Sequence, residues 1–157
     1  MTPSSARPPD DYEALAAALN ARGVRYVIVG AFAVGYHGYI RATMEIDIFV
    51  SCDADNAARL AAALHDFAGV KVDPGEIRPK TMIELGHEPN AVHILTSVTG
   101  LTWQEAWDTR LGGRIGAQPA DFLSKEALVR NKRAVGRGKD LQDLKELGAA
   151  PRRGKKK

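Results

Sequence analysis

Glu45 and Asp47 stand two residues apart in the otherwise apolar run Met44-Glu45-Ile46-Asp47-Ile48-Phe49-Val50. Successive side chains of a β-strand point to opposite faces, so these two carboxylates share one face, roughly 7 Å apart at the backbone. Ile46, Ile48 and Val50 take the other. Two carboxylates on a mostly buried strand are costly unless a cation meets them, and a divalent metal is the usual answer. Oxygen ligands of this kind favour Mg²⁺ or Mn²⁺. The plainer reading is a pair of solvated acids on an exposed strand face.

The elements that must hold this pair follow from the hydrophobic pattern. Asp11 to Arg22 places Tyr12, Leu15, Ala16 and Leu19 on one helical stripe, with Gly23 as a stop. Val24 to Val29 is a short β-branched run that predicts a strand covered on both faces. Gly30 opens the small-residue stretch Ala31-Phe32-Ala33-Val34-Gly35, which suits a short helix after a tight turn. Ala54 to Ala68 repeats apolar residues at helical spacing through Ala57, Leu60, Ala61, Leu64 and Phe67. Thr81–Leu85 and Val92–Leu95 read as strands joined by a turn at Glu88-Pro89-Asn90.

Thr102-Trp103-Gln104-Glu105 is a capping box that opens a short helix through Trp107. Arg114–Ile115 suggests one more short strand. Ser124 is placed to cap a helix from Lys125 to about Val135, and a last helix, Lys139 to Leu147, presents Leu141, Leu144 and Leu147 before Gly148. Interleaved strands and helices predict an α/β or α+β fold around one mixed sheet.

The 157 residues fit one domain with a sizeable core. Three segments are expected: a Pro-rich flexible lead-in at 1–10, a folded domain at 11–148, and a basic, disordered tail at 149–157. Arg152, Arg153, Lys155, Lys156 and Lys157 supply +5; subtracted from the net +3, this leaves the rest of the chain at −2. Such a tail is most often solvated, and it also adds salt-sensitive attraction to RNA or DNA. No apolar stretch approaches the roughly 20 residues of a membrane span, and the first ten residues lack the pattern of a secretory leader. The single cysteine, Cys52, has no internal disulfide partner and reads as an inert thiol. The expected setting is cytoplasmic.

Three separated segments carry a resemblance. Val27-Ile28-Val29-Gly30, Ala33, His37-Gly38, Arg41-Ala42-Thr43 and Glu45-x-Asp47 form the first. Val92-His93-Ile94-Leu95 with Gly100-Leu101-Thr102-Trp103-x-Glu105-Ala106-Trp107 forms the second. Asn131-Lys132-Arg133-Ala134-x-Gly136-Arg137 with Lys139-Asp140-Leu141-x-Asp143-Leu144 forms the third. In this order, over roughly residues 11–148, they resemble the nucleotidyltransferase superfamily, and more narrowly the small bacterial proteins related to AbiE-type toxins.

The resemblance implies a small mixed sheet flanked by helices. It also implies a turn after the first strand that receives a nucleoside triphosphate, an Asp-x-Asp pair that binds two divalent metals, and a third carboxylate on a neighbouring strand. Carried onto this chain, Glu45, Asp47 and His93 become metal-binding and catalytic residues, with His93 as an atypical third ligand or base. Gly30, Ala31, Arg41, Thr43 and Lys132 become nucleotide- or phosphate-binding residues. The implied partners are an NTP, an RNA acceptor such as tRNA, and a cognate antitoxin.

Three positions depart from the family pattern. Glu45 replaces Asp and sets its carboxylate one methylene further out. The turn reads Gly30-Ala31 where the family has Gly-Gly or Gly-Ser, so it supplies no hydroxyl. His93 replaces the third carboxylate; a neutral imidazole ligates metal or accepts a proton, and it suits Mn²⁺ or Zn²⁺ better than Mg²⁺.

Two functions therefore stay open: metal-dependent transfer of a nucleoside monophosphate from an NTP to a hydroxyl acceptor, or a non-catalytic relative that binds nucleotide, nucleic acid or protein. Several residues have plain structural readings as well. For Arg41 it is an ion pair, for His37 packing near a helix end, for Trp103 and Trp107 core packing. For Lys132, Arg133, Arg137 and Lys139 it is a solvated helix face.

Overall fold

A computed structural model describes residues 11–40 and 43–148. The segments 1–10 and 149–157, and the predicted phosphate contact Arg41, lie outside the described residues. In chain order the elements are α1 (Asp11–Ala21), β1 (Tyr26–Val29), α2 (Gly30–Tyr36), β2 (Glu45–Val50) and α3 (Ala54–Ala68). A 3₁₀ turn at Pro74–Glu76 precedes β3 (Met82–Leu85), β4 (Ala91–Leu95) and α4 (Trp103–Asp108). Then follow β5 (Leu111–Ile115), β6 (Gln118–Phe122), α5 (Lys125–Val135) and α6 (Gly138–Glu146). The six strands form one mixed sheet in the order β3-β4-β2-β1-β6-β5. This is the α+β class expected from the pattern, a mixed sheet flanked by helices.

β2 lies near the middle of the sheet, antiparallel to β1 and parallel to β4. Alternation along it sorts its side chains into two cores. Ile46, Ile48 and Val50 join Tyr12, Leu15 and Leu19 of α1 and Leu60 and Leu64 of α3 in one cluster. Phe49 joins Val27 and Val29 of β1, Ala33 and Val34 of α2, Ala106 of α4, and Leu128 of α5 in the other. Fully burying one such side chain contributes roughly 1.5–3 kcal/mol, so packing on both faces holds the sheet between helices. Glu45 and Asp47 share the parity of Phe49 and so point toward α2 and α5.

Three differences from the sequence reading have physical causes. β6 is an inner strand that the pattern did not predict, because Pro119 cannot donate to a ladder and marks a strand as an edge. Its pairing with β1 is confined to Ile28 opposite Phe122, so Pro119 lies beyond that ladder. β5 runs from Leu111 rather than Arg114, since Gly112 and Gly113 are accommodated opposite Asp121 and Ala120. Finally, α6 turns a different face inward. Leu141 is exposed, while Asp140, Asp143, Leu144 and Leu147 are buried at helical spacing.

Trp103 and Trp107 pack partly buried against the second core and stack on each other at 5.4 Å. His37 caps the end of α2, its Nε2 2.8 Å from the Leu123 carbonyl oxygen. Among the described residues no helix is long and apolar enough to cross a membrane.

Candidate functional site

Parallel pairing of β2 with β4 sets Asp47 directly opposite His93, and antiparallel pairing of β3 with β4 sets Glu84 opposite His93 on its other side. Directly opposed residues on one face bring their Cβ atoms to about 4.5–5.5 Å, within side-chain reach. The result is a row of four ionisable groups across three strands. His93 Nδ1 lies 3.2 Å from Asp47 Oδ1 and 3.3 Å from Glu45 Oε2. His93 Nε2 lies 3.2 Å from Glu84 Oε2.

The acids differ in exposure, and the one on the edge strand β3 is the wettest. Asp47 is 19% exposed, Glu45 34% and Glu84 56%, with His93 at 17%. Burial, reinforced by the Glu45 carboxylate and opposed by His93, pushes the Asp47 carboxyl up to about 6. Burial works to lower the His93 imidazole, but Glu84, Glu45 and Asp47 outweigh it and the imidazole is raised overall. Carboxylate oxygens on both ring nitrogens suit the imidazolium, which donates from each. To ligate a cation, His93 must give up its Nδ1 proton while Nε2–H donates to Glu84, as an outer carboxylate orients a metal-bound histidine.

Glu45, Asp47 and His93 each offer a ligand atom within 4.8 Å of the others. Adjacent ligands of an octahedral cation with bonds of about 2.1 Å sit about 3 Å apart, close to the separations here. These three residues therefore fit one divalent cation with two oxygens and one nitrogen, a set that favours Mn²⁺ over Mg²⁺. Glu84, which the sequence reading did not single out, is positioned as the outer partner. Its signal was the alternation of Met82-Ile83-Glu84-Leu85 together with register against His93.

Behind the acids stands the turn from β1 into α2. Gly30 has φ +68°, and a Cβ there would run into the Asp47 carboxylate. The absent side chain thus seats Asp47, and any larger residue would displace it. Gly30, Ala31 and Thr43 line a cleft of about 530 Å³ together with Glu45 and Asp47. Thr43 braces the strand entry, its Oγ1 donating to the Glu45 carbonyl at 3.0 Å. Ser97, Thr99 and Asn131 form the far wall, and Lys132, Arg137 and Lys139 bring positive charge to it.

Lys132 does not serve as a free cation. It is 4% exposed, and its Nζ lies 3.1 Å from Asp140 Oδ1 and 3.0 Å from Asp143 Oδ2, both carboxylates buried. Its charge is matched inside the protein. Arg137 is the better-placed cation, because Asp140 anchors it at 2.7 Å while the side chain stays 58% exposed. The Asp140 hydrogen bonds chiefly, and Asp47 and Glu45 further off, raise the Arg137 guanidinium above its ordinary range. Lys139 is exposed at the same rim. Glu45, Asp47, Gly30, Ala31 and Thr43 thus line one cleft, with His93 against the two carboxylates. The structure commits Lys132 to a structural triad with Asp140 and Asp143, two residues of the third segment that carries the resemblance.

No protein-family model matches the chain, and no curated protein matches it significantly.

Proposed function

We propose that this protein is a metal-dependent nucleotidyltransferase, moving a nucleoside monophosphate from an NTP to a hydroxyl acceptor. The observation that carries this reading is the cluster of Glu45, Asp47 and His93 at the head of a cleft, with the Gly30 turn behind it and Arg137 and Lys139 facing it. Glu45, Asp47 and His93 would hold Mn²⁺ or Mg²⁺, and the cation would neutralise charge at the α-phosphate. The Gly30-Ala31 turn leaves room for the triphosphate, and Arg137 offers a donor fork to its oxygens. In the transfer, the acceptor oxygen bonds to the α-phosphorus as the bond to pyrophosphate breaks, and the hydroxyl proton passes to a basic group. RNA, tRNA included, is the acceptor class that the family resemblance suggests, in a cytoplasmic, toxin-like setting with a cognate antitoxin.

The test is thermal melting with each NTP and Mn²⁺ or Mg²⁺, alongside transfer from labelled NTP to total RNA. Nucleotide with metal raises the melting temperature, and Asp47→Ala abolishes the rise. No shift with any NTP and metal would sink the reading. Stabilisation by polyphosphate alone that survives Asp47→Ala would point to simple anion binding.

A second reading is favoured by one observation: His93 occupies the space between both carboxylates and stands where the family resemblance leads one to expect a carboxylate. Under it the cleft binds metal and nucleotide without transferring anything. Metal–nucleotide stabilisation without label transfer, with transfer gained in His93→Asp, is its signature.

A further inference from the structure

A second cavity, of about 430 Å³, opens on the other side of α2 and shares Ala31 and Thr43 with the carboxylate cleft. Its character is different. Phe32, Tyr36, Phe122 and Ile40 supply an aromatic and aliphatic lining, and among the described residues Arg114 is the charged one on its wall. The Tyr36 ring lies flat on Phe122, with centroids 4.5 Å apart and planes 16° from parallel, and its hydroxyl donates to the Gly112 carbonyl at 2.9 Å. That stack depends on a missing side chain. A Cβ at Gly113 would come within 2.7 Å of the Tyr36 ring and 2.8 Å of the Phe122 ring.

The tyrosine so mounted remains 39% exposed, and Ile40 and Met44 beside these two cavities are 85% and 54% exposed. Half of the large exposed hydrophobic residues among those described therefore fall in the short span from Tyr36 to Met44. Concentrated apolar exposure of this kind marks a binding surface. Arg114 donates to the Ala117 carbonyl at 3.1 Å, a neutral acceptor that leaves its charge available to an anion.

We propose that this cavity binds a nucleotide, its base against the exposed Tyr36 ring that buried Phe122 backs and its phosphate toward Arg114, next to the carboxylate cleft. Bases stack on half-exposed aromatic rings irrespective of sequence, and an arginine beside such rings supplies the phosphate contact. Because Ala31 and Thr43 wall both cavities, the occupant lies beside Glu45 and Asp47. The inference deepens the transferase reading by naming the class of its second substrate, and it rests on that reading only for the chemistry. The nucleotide can be free or the end of a strand; both present the same base and phosphate.

The test measures binding of adenosine monophosphate and of single-stranded deca-adenylate to the full chain in EDTA, by calorimetry and fluorescence anisotropy. Tyr36→Ala weakens binding about fivefold or more, the effect of losing one base stack. Arg114→Gln weakens it and lowers the salt slope by about one. Equal affinity for the two probes identifies a free nucleotide, and affinity for the oligomer alone identifies a strand end. Absence of binding by both probes overturns the inference. So does binding that both variants retain in full, or a concentration-dependent dimer that Tyr36→Ala abolishes without nucleotide binding. If Tyr36→Ala does not fold, the surface variant Arg114→Gln decides. Failure of the transferase reading looks different: Tyr36-dependent binding persists while no NTP and metal stabilise the protein.

Discussion

Replacing Lys132 by Met tests whether its ammonium serves the fold or the cleft. In the wild type one buried cation answers two buried carboxylates, at 3.1 and 3.0 Å, with both aspartate side chains 1% exposed. Removing one partner of a buried pair costs about 3–5 kcal/mol, since a charge is left behind in a poorly solvated place. Asp140 keeps its contact with Arg137 at 2.7 Å, so the lower part of that range applies.

For a chain of this size about 3–4 kcal/mol lowers the melting temperature by roughly 6–16 °C. Urea unfolding followed by Trp103 and Trp107 fluorescence reads the loss directly. The double variant Lys132→Met/Asp143→Leu recovers most of it, because an apolar pair replaces the buried ion pair. A cost below about 1 kcal/mol, combined with loss of metal–NTP stabilisation, would refute the structural role and return Lys132 to the phosphate.

Other expectations concern the acids and the turn. Asp47 is raised to about 6 by burial, so its ionisation opposes folding above that pH and the penalty fades as pH falls toward 4. Metal-free Asp47→Asn is therefore more stable than wild type at pH 7.5, by about 1–2 kcal/mol after the lost attraction to His93, and nearly equal to it at pH 4.5. Melting curves at the two pH values check this. Asp140, held low against its burial by Arg137 and Lys132, works in the opposite sense. Its contribution is present above the ordinary carboxylate range and is lost as pH falls through its lowered value, so chemical denaturation below pH 4 shows a declining midpoint. Gly30→Ala forces a side chain into the left-handed region and onto Asp47, and costs about 1–3 kcal/mol together with Mn²⁺ affinity measured by calorimetry. Glu84→Gln weakens Mn²⁺ binding about tenfold by loosening the orientation of His93, without a matching loss of stability.

Elements with their own periodicity were legible from the sequence. Ala57, Leu60, Ala61 and Leu64 announce α3 because the pattern of burial and the pattern of residue type coincide. The same alternation placed Glu45 and Asp47 on one face, and register against β4 then brought His93 between them. Register itself is not written in either strand, which is why Glu84 escaped notice. α6 shows the reverse failure. Its inward stripe of residues 140, 143, 144 and 147 keeps helical spacing, but half of it is aspartate, and a search for apolar positions chose Leu141 instead. Such a stripe is intelligible only once Lys132 is known to lie beneath it. Pro119 hid β6 for a comparable reason: whether a missing N–H matters depends on where the neighbouring ladder stops.

The sorting of β2 by parity also bears on how such a protein can change over generations. Ile46, Ile48 and Val50 stabilise the sheet from one side, whereas Glu45, Asp47 and their neighbour His93 stand on the other, partly open to water. Substitutions at the latter set leave the packed interior almost untouched. Single exchanges among these three side chains can therefore change the charge and ligand set of this face while the chain keeps folding.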